Sequence, residues 1–596
     1  MKKFLLIATL FLLWPSDGFC ATLYLRDDAT TWTSAASWSN VSAVDNTNSG
    51  PPTAADDCIA ELLSSNVTIS ATAVCKSFST TAGTGNWAGT LTHDAGINWT
   101  VSGSITFNSG ITYTPTATST VTLAATNTLT TAGKLFPLMV INTGITTTLG
   151  DNLSFIASKV ITLTLNGNSL DINGNTVSGN SATNRVLIRS NTLGTARTIT
   201  TTTGTFDAAD FRDITASTAV DLSGATNFAG DCGGNTNITF TTAATQTATG
   251  NSANWSTTTW TSRVPLPQDD VVLSLTAGQT LTNDMPRMGK SISVTTAMNL
   301  STNTIAQTLY GSLDLTNVST FTVGSTGTWT FEGRGSFSLT SNAKSFVGAN
   351  VTINMVGGTL TLNDAFATGS ILTITQNSFD NSGNFNVTAL TITSAGSNTG
   401  TITMGNGTWS ATGGTTQTVW NMGASTTLVA NSSTIALTST STSNKTFAGG
   451  GKTYNDVLIT GGGTGDYIFT GANTFNRIYT DGGGTKDITL PGSTTTTILS
   501  SQGLANGSNI ITFTASSGSA TVAKSGGGTV EWSPVNLTNI IASTANTWYA
   551  GPAPPSVDGG GNTNWIFQDA PSGESRGRSD RLRFIDDYPP RHRMIV

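Results

Sequence analysis

Apolar residues along this chain recur at every second position in short runs, and polar turns separate the runs. Val121-Thr122-Leu123 and Ile161-Thr162-Leu163-Thr164-Leu165 show the alternation. Successive side chains of a strand point to opposite faces, so each run buries one face and presents Thr on the other. The runs return at intervals of roughly ten residues, divided by Asn-Gly, Gly-Gly or Asn-Thr turns. Leu163-Thr164-Leu165, Asn166-Gly167-Asn168 and Leu170-Asp171-Ile172 form one such strand, turn and strand. The pattern predicts an all-β chain. Short strands wound into coils can bury their inward Leu, Ile, Val and Phe only against neighbouring coils, which points to an elongated parallel β-solenoid. Tandem β-sandwiches are the alternative, but they call for longer strands, clearer linkers and more than the 16 Pro present.

The chain also repeats itself on a larger scale, as two tandem modules. Trp32, Trp38, Pro51-Pro52-Thr53-Ala54-Ala55-Asp56-Asp57-Cys58 and Cys75-Lys76-Ser77 are echoed by Trp255, Trp260, Val264-Pro265-Leu266-Pro267-Gln268-Asp269-Asp270-Val271 and Gly289-Lys290-Ser291. The segment Asp231-Cys232-Gly233-Gly234-Asn235-Thr236-Asn237 is echoed by Asp558-Gly559-Gly560-Gly561-Asn562-Thr563-Asn564. These openings and endings delimit a first solenoid module at 21–241 and a second at 242–568, flanked by segments 1–20 and 569–596. Cys58 and Cys75 are both replaced in the second copy, by Val271 and Gly289. Joint presence and joint loss predict a Cys58–Cys75 disulfide, with Cys232 a lone thiol in a turn.

Composition sharpens this picture. Charged residues make up only 10% of the chain, and Glu occurs at four positions alone, Glu61, Glu332, Glu531 and Glu574. Thr suits a pleated surface, while Gly, Asn and Ser form turns. Disordered chains carry more charge and lack periodic apolar content. A net charge of −7 offers no basic field for phosphate backbones, which excludes nucleic acid as the expected partner. Residues 1–20 read as a secretory signal: Lys2 and Lys3 precede an apolar core from Phe4 to Trp14, with Pro15 after it. Phe19 stands where a lipoprotein signal would carry a small residue before Cys20. The expected location is therefore secreted, extracellular or cell-surface. No later segment is apolar enough to span a membrane. The last 28 residues, 569–596, hold six Arg and five acids and read as a solvated, disordered tail.

Several strings resemble known proteins. Lys445-Thr446-Phe447-Ala448-Gly449-Gly450-Gly451-Lys452-Thr453-Tyr454-Asn455-Asp456, Gly471-Ala472-Asn473-Thr474-Phe475-Asn476 and Asn546-Thr547-Trp548-Tyr549-Ala550-Gly551 are similar to repetitive β-solenoid surface proteins and adhesins of bacteria. They are similar as well to fibre-like proteins of tailed phages. The resemblance implies a structural or adhesive role at a surface and brings no catalytic motif with it.

Enzymatic alternatives find little support in the residues. A polysaccharide-active β-helix would need two carboxyl groups about 5–9 Å apart across the sugar. Asp56-Asp57 and Asp269-Asp270 are adjacent, so each pair points to opposite faces and suits a turn instead. Of Asp207, Asp210 and Asp213, only the first and last would share a face of an extended strand, too far apart to act together. His93 and His592 are the two imidazoles, and a Ser/His/Asp triad would have to use His93. Asp171 with Asn173, and Asp558 with Asn562, could offer oxygens to calcium but match no calcium loop. Exposed indoles at Trp87, Trp99 or Trp409 could stack on sugars. The expectation is a non-enzyme with no catalytic, cofactor or metal residues, binding an extracellular glycan or other cell-surface component, with a repeat that also permits self-association. A phage fibre or tail-associated protein is the first alternative, and a polysaccharide-active enzyme the second.

Overall fold

The computed structural model describes residues 20–571, apart from 325–326, 395, 397–398, 416–417, 481–485, 501–509 and 552–555. The segment read from sequence as a secretory signal, up to residue 19, and the segment read as a solvated tail, from residue 572, lie outside the described residues. Stacked parallel coils form a β-solenoid of about 22 turns with essentially no helix, as the alternation predicted. The chain divides into two compact units, Met1–Thr438 and Ser439–Val596.

The first unit holds two stacks of coils. In the first stack, one wall runs from Thr22–Leu25 to Thr236–Thr239 and another from Ala73–Cys75 to Ala229–Asp231. Successive coils repeat in register. Ala73, Trp99, Val121, Met139, Leu163, Ile188 and Phe211 stand one above the next on the inner face, all buried. The outer face of the same strands carries Val74, Thr100, Thr122, Val140, Thr164, Arg189 and Arg212. Parallel strands lie about 4.8 Å apart, so each column is a ladder with one side chain per coil. Full burial of one Leu or Ile in the inner column stabilises by roughly 1.5–3 kcal/mol, gained only when the coils above and below are in place.

A new sheet begins at Thr245–Gly250, where the second stack starts. Both stacks open in the same way. Thr22–Leu25 pairs antiparallel with Trp38–Ser39, and Thr245–Gly250 pairs antiparallel with Thr259–Trp260. The Trp38 indole N–H donates to the Trp32 carbonyl at 2.7 Å, and that of Trp260 donates to the Trp255 carbonyl at 2.8 Å. Each pair of rings closes the apolar end of a stack that would otherwise face water.

In the second unit, one wall runs through Lys445–Ala448, Tyr467–Thr470, Lys486–Leu490, Ile511–Ala515 and Val535–Thr538 to Val557–Asp558. Trp532, Trp548 and Trp565 pack against one another near its end. Asp558 accepts hydrogen bonds from the Gly560 N–H and the Asn562 amide, and Asn562 also donates to the Leu537 carbonyl. The first stack ends identically, with Asp231, Gly233, Asn235 and the Phe211 carbonyl in the same roles. The Asp-x-Gly-x-Asn echo is thus one hydrogen-bonded turn used twice.

Candidate functional site

The paired acids serve the openings. Asp56 accepts from the Thr53 and Ala21 N–H groups, and Asp269 accepts from the equivalent Leu266 and Ala244 N–H groups. Both are buried, whereas Asp57 and Asp270 point outward. They tie a turn to the first strand of each stack. Asp171 likewise caps its own turn through the Asn173 N–H. Among the described residues, no group of three or more His, Cys, Asp or Glu is placed to hold a metal ion.

His93 is sealed inside the first stack. A carbonyl can only accept, so Nε2 carries the proton and donates to Ile97 O at 3.1 Å, leaving Nδ1 to accept from the Tyr113 hydroxyl at 3.1 Å. Burial pushes its pKa down to about 4. Its two nitrogens are thus committed to Ile97 and Tyr113, so this histidine completes no Ser/His/Asp triad.

Cys58 and Cys75 are brought together as buried free thiols within hydrogen-bonding reach of each other, and burial pushes Cys58 up. Cys232 is a third buried free thiol, packed against Leu187 and Tyr310. The tryptophans require a correction. Trp87, Trp99 and Trp409 are each 0% exposed. Trp99 and Trp409 sit at inward positions of their strands, while Trp87, in the loop before Thr90–His93, packs edge-on against Phe78 and donates its indole N–H to the Ser64 carbonyl at 3.0 Å. Sugar stacking cannot involve them.

Two surfaces remain. The first is a row of hydroxyls on the second stack. Thr308, Thr330, Thr352, Thr373 and Thr393 stand in register on consecutive coils, each half-buried.

The second surface is a charge cluster where the two stacks of the first unit meet. Asp210, fully buried, is bound by Arg185 at 2.8 Å and by Arg287. Arg287 also donates to the Arg185 carbonyl at 2.8 Å. Arg212 binds Glu332 at 2.6 Å, and Arg334 binds Asp213 at 2.5 Å. Lys159 binds Asp284 farther along the same seam. Burial opposes the Asp210 charge, yet Arg185 and Arg287 hold its pKa below the ordinary aspartate value. Burial raises Glu332, even with Arg212 beside it. Gly230 packs flat on this cluster, since a Cβ there would lie 2.1 Å from Asp210 Oδ1. A cleft of about 220 Å³, lined by Cys232, Gln268, Lys290, Tyr310, Arg334 and Phe337, opens beside it.

The sequence did not reveal this cluster. An extended strand would have separated Asp210 from Asp213, but Ala208 and Asp213 adopt positive φ of 46° and 56°. The chain therefore turns at both ends of Ala209–Arg212. One signal was present: in a chain so poor in charge, Arg185, Arg189, Asp210, Arg212 and Asp213 crowd into a short segment.

No family model, no curated protein and no solved structure matches this chain.

Proposed function

We propose that the chain is an exported, non-catalytic surface scaffold or adhesin whose polar solenoid faces bind an extracellular glycan or similar surface polymer. The observation that carries this reading is the in-register hydroxyl row Thr308–Thr330–Thr352–Thr373–Thr393. Its period of about 4.8 Å per coil presents the same donor and acceptor repeatedly along one line. A single hydrogen bond is worth only ~1 kcal/mol net, so affinity for a polymer arises from repetition along the row. A repetitive partner suits a repetitive face. With Trp87, Trp99 and Trp409 buried, hydroxyls and amides carry the contact, so binding is weak for oligosaccharides and strong for long chains.

The test is a glycan array followed by analysis of the bound material. Length-dependent binding with intact polymer recovered is the expected result. Released oligosaccharides or unsaturated sugars would overturn the non-catalytic reading. Absence of binding to every glycan would overturn glycan recognition.

A further inference from the structure

The charge cluster between the two stacks of the first unit is not balanced. Five guanidinium groups, those of Arg185, Arg189, Arg212, Arg287 and Arg334, face three carboxylates, those of Asp210, Asp213 and Glu332, an excess of two positive charges. This holds with Glu332 counted as fully ionised. The remaining acidic hydrogens nearby add no negative charge, because burial pushes both Cys232 and Tyr310 well above their ordinary pKa values. At the cleft beside the cluster, Lys290 and Asp231 offset one another.

The excess has a location. Arg189 and Arg212 are partners in the strand register, side by side on the outer face of one sheet. Like charges placed so on adjacent strands repel. Glu332 engages Arg212, but among the described residues Arg189 makes no ion pair, and its Nε–H reaches only the Thr164 hydroxyl at 3.2 Å. Burial and then Arg212 hold the Arg189 pKa below its ordinary value. The Nε–H groups of Arg212 and Arg334 are buried without any hydrogen-bond partner. A buried guanidinium donor without an acceptor is costly, and a planar fork of such donors matches a tetrahedral oxyanion. Arg334 and Tyr310 belong both to this cluster and to the cleft, which gives the cluster an opening to solvent. Bare backbone at Gly233 and Gly234 lets Arg334 lie across the turn, because a Cβ at Gly234 would sit 2.8 Å from its Cζ.

We propose that Arg189, Arg212 and Arg334 form a binding site for an oxyanion of the phosphate or sulfate class. The group is either a free inorganic ion or a substituent on a surface polymer, and the chemistry of recognition is the same. The site does not depend on the hydroxyl row, which lies on other residues.

The experiment is calorimetric titration of the whole chain with inorganic phosphate and with sulfate, at constant ionic strength in chloride, paired with thermal melts. One site is expected, and millimolar anion raises the melting temperature. In Arg189→Leu the affinity falls at least tenfold and the anion-induced shift disappears. In anion-free buffer this variant melts at or above the wild-type temperature, because it removes part of the charge excess. Arg189→Lys keeps the charge without the fork and binds with intermediate affinity. Dextran sulfate measured against neutral dextran separates the sources: Arg189-dependent binding of the sulfated polymer identifies a polymer substituent, and binding of the inorganic ion alone identifies a free anion. Three results would overturn the proposal. They are no response to either anion, equal affinity in wild type and Arg189→Leu (an adventitious ion only), and a lower melting temperature of Arg189→Leu without anion.

Discussion

Replacing Asp210 with asparagine removes one charge from the seam between the stacks of the first unit while preserving side-chain volume. Asp210 is 0% exposed and its two oxygens are divided between Arg185 and Arg287, themselves 0% and 4% exposed. The substitution leaves two buried guanidinium groups without a counter-charge and turns an amide N–H₂ toward one of them. Removing one partner of a buried ion pair costs about 3–5 kcal/mol, and this site loses two pairs, so about 4 kcal/mol is a lower expectation. Domains are stable by only about 5–15 kcal/mol, so the loss is large. Urea unfolding should show it, and hydrogen exchange should quicken at the Met288 and Lys290 amides, whose bonds lie beside Arg287. The triple substitution Arg185→Met, Asp210→Leu, Arg287→Met should recover much of the loss, because apolar side chains need no counter-charge. Recovery stays incomplete, since the Arg185 and Pro265 carbonyls lose guanidinium donors. Asp210→Asn unfolding within about 0.5 kcal/mol of wild type would refute the reasoning, as ordinary surface substitutions do no more.

Further expectations concern the first stack and the openings. In exported protein, Cys58 and Cys75 should be linked and Cys232 free; peptide mapping without reductant checks this, and three alkylatable thiols would count against it. His93 is neutral when folded, with a pKa near 4 against 6.5 when unfolded, so its contribution is intact above pH 6.5 and lost as pH falls toward 4. At pH 4.5 the cost is about 2.5 kcal/mol. His93→Gln should flatten that part of the stability profile, and an unchanged slope between pH 7 and 4.5 would contradict the assignment. Asp56→Ala and Asp269→Ala each free two N–H groups of an opening turn and should each cost about 1–3 kcal/mol in denaturant melts. The Asp269 variant should lose more, because Arg263 also binds that carboxylate.

What could be read from the residues was what strands and turns encode locally. Alternation such as Ile161 to Leu165 specifies an inner and an outer face, because the period of two is a property of the backbone itself. The repeated Trp pairs, the Asp-Asp turns and the Asp-x-Gly-x-Asn endings were legible because each completes its hydrogen bonds within a coil or with the adjacent one. Whether an outward residue meets solvent or another stack is not written in that code. Arg189, Arg212 and Glu332 occupy outward positions like those of Thr122 or Thr352, and a polar residue is acceptable there in either setting. Only the lateral approach of the second stack buries them, pairs Arg287 with Asp210, and converts a scatter of arginines into a concentrated positive charge. The tryptophans show the converse. Composition alone left Trp87, Trp99 and Trp409 open to either face; strand register turned Trp99 and Trp409 into the core, and a loop folded inward, with its indole N–H on the Ser64 carbonyl, did the same for Trp87.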